Sequence, residues 1–277
     1  VVKAYSYAIY NYRSESSQIH SNVLDSNDNG FAYHLYSYQS TNTSIQKNKI
    51  YFTGTYYAGI YLYYENYYGA SSNRSLLANN FVGGNPTSYI YGGIYLNSYT
   101  QDCDVLNNTI YSKTATSTSY ACLRLGTSST ISGHNIQNNN FHQGASGGVA
   151  LYVYRTAQVD TCDYNNVYSS GSNIAYFNLG LRSNLTALQG VSGSFNQNSI
   201  SPDIGVSDYN DFSAQSAGTN NKGNKWTNPR VLDDINGNSR PTSPDTDIDI
   251  GCNDYYLPPN DAGIAGFPSA AFCAGTA

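Results

Sequence analysis

The chain has 277 residues, enough for one large core or two domains. Its formal charge is −5 with only 13 basic residues, which argues against nucleic acid and against an anionic membrane surface as partner. No apolar run is long enough to span a bilayer, so membrane insertion is not expected. Charged residues make up only 11%, tyrosine reaches 29 residues and methionine is absent. A neutral exterior rich in hydroxyl and amide groups suits an extracellular protein.

From the first strand-like run, Tyr7-Ala8-Ile9-Tyr10, a short pattern recurs: Asn, any residue, then an apolar residue. It reads from Asn22, Asn48, Asn79, Asn108, Asn139, Asn165 and Asn198, with apolar members at 24, 50, 81, 110, 141, 167 and 200. The steps between these are 26, 31, 29, 31, 26 and 33 residues, a period of solenoid size. About ten to thirteen residues after each motif comes a second strand-like run. The clearest are Gly59–Tyr63, Gly93–Leu96, Leu123–Leu125, Leu151–Tyr154 and Phe177–Leu179.

These runs alternate apolar and polar with strand period, and no stretch carries a helical one. Parallel strands joined by loops must coil, each turn stacking about 4.8 Å beyond the last. One turn cannot bury its own inward side chains, so its neighbours do. The expected fold is all-β: a right-handed parallel β-helix of about seven to eight turns. The seven asparagines are expected to form a corner ladder, each amide bonding to the next turn.

Taken in order, residues 1–212 read as the solenoid, 213–258 as an irregular closing segment and 259–277 as the start of another module. The loop Asp25–Gly30 has the opening of a calcium loop, but Tyr36 stands where a carboxylate is needed, so it reads as a turn. If Ile60 and Leu62 point inward, Tyr61 and Tyr63 point out, and by the same parity so do Tyr95, Arg124 and Tyr152. Such a stripe is either a platform for sugar rings and surfaces or an aromatic ladder of structural value. Trp226 is expected to close the end of the core. Cys103 and Cys162 fall about two turns apart, too far for a disulfide, and Cys122 reads as a small buried side chain. The chain starts without a visible capping segment, so it reads as a piece of a longer protein.

For chemistry, a glycoside hydrolase needs two carboxylates across a cleft. Asp104 and Asp160 fall near equivalent corners two turns apart, with Asp102 and Asp163 as further candidates. A calcium-assisted lyase would instead take an Arg or Lys base, and Arg124 and Arg155 fall on successive turns but with no acidic cluster around them. The paired aspartates, Gly-His-Gly and Arg-Ile-Lys of the β-helix pectinases are missing, so an active site is not the favoured reading. His20, His34, His134 and His142 lack metal spacing, and the last two read as surface hydrogen-bonding residues. Asp245, Asp247 and Asp249 alternate on one strand face, near Asp254, as a weak candidate for structural calcium.

Val231-Leu232-Asp233-Asp234-Ile235-Asn236-Gly237-Asn238-Ser239-Arg240-Pro241, then Pro244-Asp245 and Ile248-Asp249-Ile250-Gly251, resembles the closing signature of secreted bacterial right-handed β-helix proteins. That signature runs "D-x-D-G-x-x-R-P … P-D-I-G-A"; here Thr246-Asp247 is inserted and Cys252 takes the small residue's place. The run Pro259-Asn260-Asp261-Ala262-Gly263-Ile264, with Pro268 and Phe272-Cys273-Ala274-Gly275-Thr276, resembles the opening of immunoglobulin-like modules in large surface proteins exported by the type IX route. The resemblance implies adjacent domains, secretion machinery as a partner, and a later cysteine paired with Cys273. It implies a cell-surface setting, with gliding or attachment as contexts. The exposed Tyr/Asn/Ser face adds the expectation of an adhesive role with carbohydrate or a surface as ligand. The alternatives are a polysaccharide lyase or glycoside hydrolase on the same fold, or a rigid spacer.

Overall fold

The computed structural model describes residues 7–26, 33–55, 57–68, 74–88, 91–112, 120–205, 218–227, 229–241 and 248–254. Three sheets wrap one core, and the chain visits them in a fixed cycle. The first holds Tyr7–Tyr12, Tyr33–Tyr38, Ala58–Tyr63, Gly92–Leu96, Ala121–Leu125, Val149–Val153 and Ala175–Phe177, all parallel, followed by the antiparallel Leu181–Arg182. The second stacks Gln18–His20, Ser44–Gln46, Ser75–Ala78, Cys103–Leu106, His134–Gln137 and Val159–Asp163. The third stacks Val23–Ser26, Lys49–Thr55, Phe81–Ser88, Thr109–Ser112, Asn140–Gln143 and Asn166–Ser169. This is an all-β parallel β-helix.

Among the described residues it is shorter than seven to eight turns: the second and third sheets hold six strands each, which makes five stacking steps. The last Asn motif opens no strand. Ile200 makes only an isolated bridge to Asn166, and the chain has already turned into the short helix Leu185–Gln189. Leu188 is fully buried there, and Leu185, Val191 and Phe195 pack on the core, so this helix covers the last turn.

Inward positions line up in register across turns. Leu35, Ile60, Ile94, Leu123 and Leu151 form one column, and Ile45, Leu77, Val105, Ile136 and Cys162 a second. Ile50, Val82, Ile110, Phe141 and Val167 form the third, and all fifteen are 0% exposed. Stacking of like on like buries what one turn alone would leave wet. In the first turn the equivalent Ile9, Ile19 and Leu24 are only partly buried. Cys103, Cys122, Cys162 and Cys252 are buried free thiols, and Cys273 lies outside the described residues.

The second and third sheets meet at a two-residue corner, and here the sequence reading needs correction. The first corner residue is left-handed at every level: Ser21, Lys47, Asn79, Asn107, Asn138 and Tyr164 have φ of 54–59°. The second is always Asn. The ladder therefore runs Asn22, Asn48, Asn80, Asn108, Asn139, Asn165, each Nδ2 donating to the next Oδ1 at 2.9–3.0 Å. Asn79 is not a rung. Val82, not Phe81, continues the core column, and Phe81 lies opposite Lys49 and Thr109. Asn198 is not a rung either: Ser199 Oγ takes the Asn165 N–H at 3.1 Å, while Asn198 is exposed and bonds Asp163 at 2.8 Å.

The left-handed corner residues carry a different load. Asn79 donates to the Asp233 carbonyl at 2.7 Å and accepts from Arg240 at 3.0 Å. Asn138 both donates to and accepts from the Asn224 backbone, at 2.8 and 2.7 Å. The described residues between 218 and 254 therefore lie along the side of the solenoid and not over its end. Arg240, 2% exposed, is held by Asp254, Asn79 and the carbonyls of Asp233 and Gly251. Trp226 is 63% exposed beside Arg230, so it does not close the core.

Candidate functional site

Outward residues of the first sheet stack as the inward ones do. The register aligns Tyr10, Tyr36, Tyr61, Tyr95, Arg124, Tyr152 and Tyr176 in one unbroken column. Ring centroids are 5.3, 4.9 and 5.3 Å apart from Tyr10 through Tyr95, and 4.5 Å between Tyr152 and Tyr176. Arg124 takes one level, its Cζ 4.1 Å from the Tyr152 ring centre and 5.7 Å from that of Tyr95. Two flanking columns run beside it. Tyr12, Tyr38 and Tyr63 are spaced at 5.7 and 5.6 Å; Tyr33, Tyr57 and Tyr91 at 5.7 and 5.8 Å.

Tyr61, Tyr63, Tyr95, Arg124 and Tyr152 thus share one face, but not one accessibility. Tyr61 is only 7% exposed, covered by its neighbours, with its hydroxyl accepting from Asn97 at 2.7 Å. The reachable rings are Tyr10, Tyr12, Tyr57 and Tyr91, each more than 40% exposed. Burial pushes Tyr33 up to about 12 and Tyr36 and Tyr61 higher still, so these phenols stay neutral hydroxyls at any physiological pH.

Asp104 and Asp160 meet elsewhere, around a residue the sequence reading passed over. Arg74 contacts Asp104 at 2.8 Å, Asp102 at 3.5 Å and Asp160 at 4.0 Å, and donates to the Gly133 carbonyl at 2.7 Å. Asp104 is 1% exposed and also accepts from Asn135 at 2.7 Å. Burial raises the Asp104 carboxyl, opposed by the Asn135 bond and by Arg74. Arg124 belongs to the first sheet, whereas Asp104 and Asp160 lie on the second, so the three do not form one site. His134 and His142 are not surface residues: they are 0% and 4% exposed, and His134 Nδ1 accepts the Cys103 N–H at 3.2 Å.

Among the described residues no group of three or more His, Cys, Asp or Glu side chains converges for a metal ion. Asp245 and Asp247 lie outside the described residues. Asp249 is 4% exposed and accepts the Asn221 N–H at 2.7 Å, so it belongs to the docked segment and not to an open edge. No described helix is long and apolar enough to cross a membrane. Compared with known proteins, the chain matches no family model and no curated protein.

Proposed function

We propose that this solenoid is a non-catalytic binding module of a secreted or cell-surface protein, an adhesin-like element that engages carbohydrate or another surface through its tyrosine face. One observation carries the reading: the column of six tyrosines and Arg124 runs across the seven parallel strands of the first sheet and is flanked by parallel columns. A lattice of rings about 5 Å apart offers flat apolar area edged with neutral hydroxyls, which suits sugar rings and polymer surfaces. Arg124 supplies a cation for polar or acidic substituents. Asp104 is 1% exposed, with Oδ1 held by Arg74 and Asn135, which speaks against turnover at the Arg74 cluster, because a working carboxylate must reach substrate. Attachment or gliding, export by the type IX route and a following immunoglobulin-like module are contexts this proposal inherits from the sequence resemblance.

The test is a polysaccharide binding screen with parallel assays for reducing ends and unsaturated uronates. Binding without product, weakened at least tenfold by Tyr57→Ala with Tyr91→Ala, is the expected result. Product release would transfer the function to an enzyme. Absence of both signals would leave the solenoid a spacer and overturn the proposal.

A further inference from the structure

The outward face of the third sheet carries a second, smaller constellation. Tyr111, His142 and Tyr168 are aligned on successive turns, with ring centroids 5.3 and 4.7 Å apart. Asp203 arrives from the segment after Ile200 and is well oriented. Its Oδ2 accepts the Tyr168 hydroxyl at 3.1 Å and its Oδ1 accepts the Gly205 N–H at 2.8 Å. Together with Ser170 these side chains border a cleft of about 340 Å³, at the small end of ligand-binding clefts.

The cleft holds an unmet demand. His142 is 4% exposed, and its Nδ1 is buried with no hydrogen-bond partner. That nitrogen faces Asp203 Oδ1 at 3.8 Å, beyond direct hydrogen-bond reach. A buried polar atom left unmet carries an uncompensated desolvation penalty. One hydroxyl oxygen about 2.8 Å from each atom would satisfy both at once. Burial pulls His142 down to about 4, so the imidazole is neutral at pH 7 and offers a neutral partner to a hydroxyl. Asp203, more than half exposed, has lone pairs left for a second hydroxyl. The half-buried Tyr168 ring provides an apolar side.

We propose that this cleft is a subsite for a single neutral pyranose, with one hydroxyl bridging His142 Nδ1 and Asp203 and the ring lying against Tyr168. A neutral hydroxylated ring is favoured over an anion by the Asp203 carboxylate, and over an apolar ligand by the polar atoms that converge. The inference is independent of the tyrosine face, which belongs to a different sheet.

The experiment is a titration of the ¹⁵N-histidine-labelled chain with D-glucose, D-galactose, D-mannose, D-xylose, L-fucose and N-acetylglucosamine, read at the imidazole signals. His142→Gln assigns its resonance. At least one sugar should give a saturable His142 shift in the millimolar range, weakened at least tenfold by Asp203→Asn and reduced by Tyr168→Phe. Tyr57→Ala with Tyr91→Ala should leave that shift unchanged, which separates this site from the tyrosine face. The wild-type titration stands even if a variant misfolds. No saturable shift with any of the six sugars, a shift that survives Asp203→Asn in a folded variant, or a response only to added zinc would overturn the proposal.

Discussion

Replacing Asn108 by alanine tests the corner ladder where it is most enclosed. The side chain is 0% exposed. Its Nδ2 donates to the Leu77 carbonyl at 2.9 Å, to the Leu106 carbonyl at 3.1 Å and to Asn139 Oδ1 at 3.0 Å. Its Oδ1 accepts both the Asn80 N–H at 3.0 Å and Asn80 Nδ2 at 2.9 Å. Truncation orphans those two donors of Asn80 in a dry corner. At about 1–3 kcal/mol for each unmet group, the loss is about 2–6 kcal/mol. Asn22 is the internal control: it is half-buried, heads the ladder, and its Nδ2 donates only to Asn48 and the His20 carbonyl. Alanine there orphans no enclosed donor and should cost about 1 kcal/mol or less. Urea unfolding followed by far-UV circular dichroism would compare them, with the m-value watched because a solenoid can lose turns in parts. Equal costs at the two positions, with unchanged m, would refute the ladder as a source of stability.

Two further outcomes follow from the core. A Cβ on Gly93 would meet Ile110 Cγ2 at 2.3 Å and the Cys122 carbonyl oxygen at 3.0 Å, so Gly93→Ala should cost about 1–3 kcal/mol in thermal unfolding. Gly193→Ala, with nothing within 4 Å, should be close to neutral in the same measurement. Glu65 is fully buried between Ser75 Oγ at 2.7 Å and Ser37 Oγ at 2.8 Å, and burial raises its carboxyl above the ordinary 4.5. The folded form therefore binds the proton more tightly than the unfolded chain. The stability linked to that proton is complete below about pH 4.5 and is lost as pH rises through the raised folded value. Glu65→Gln should gain in melting temperature relative to wild type between pH 4 and 8; parallel profiles would contradict the assignment.

The fold was legible because its signal is periodic. Core residues and corner asparagines recur every turn, and the expected core members at 24, 50, 110, 141 and 167 lie in the third sheet. The one misplaced inner rung came from a doublet. Asn79-Asn80-Phe81-Val82 offers two frames, and Phe81 imitated the core residue. A rule within the sequence resolves it: the ladder Asn stands three residues after the second sheet's core residue, as in Ile45 to Asn48, Leu77 to Asn80 and Val105 to Asn108. The stripe from Tyr61 to Tyr152 was found by strand parity, but parity says nothing of coverage. Tyr61 is outward and nonetheless enclosed, because rings of its own size stand on every side.

What stayed hidden depends on contacts with no local trace. Arg74 reaches Asp102, Asp104 and Asp160 across as many as 86 positions only once the turns are stacked. The His142 cleft is half periodic. Extending the parity argument to the third sheet would have aligned Tyr111, His142 and Tyr168, but Asp203 enters from beyond the last regular strand. The same holds for the left-handed corner. Asn is tolerated there for its backbone, and that tolerance frees the side chains of Asn79 and Asn138 to hold Asn224, Asp233 and Arg240. A solenoid divides its labour in this way. The repeat specifies the inside, where every turn must solve one packing problem, and leaves the outer columns free to vary. Function has to be sought in the outward residues and in the segments that break the period.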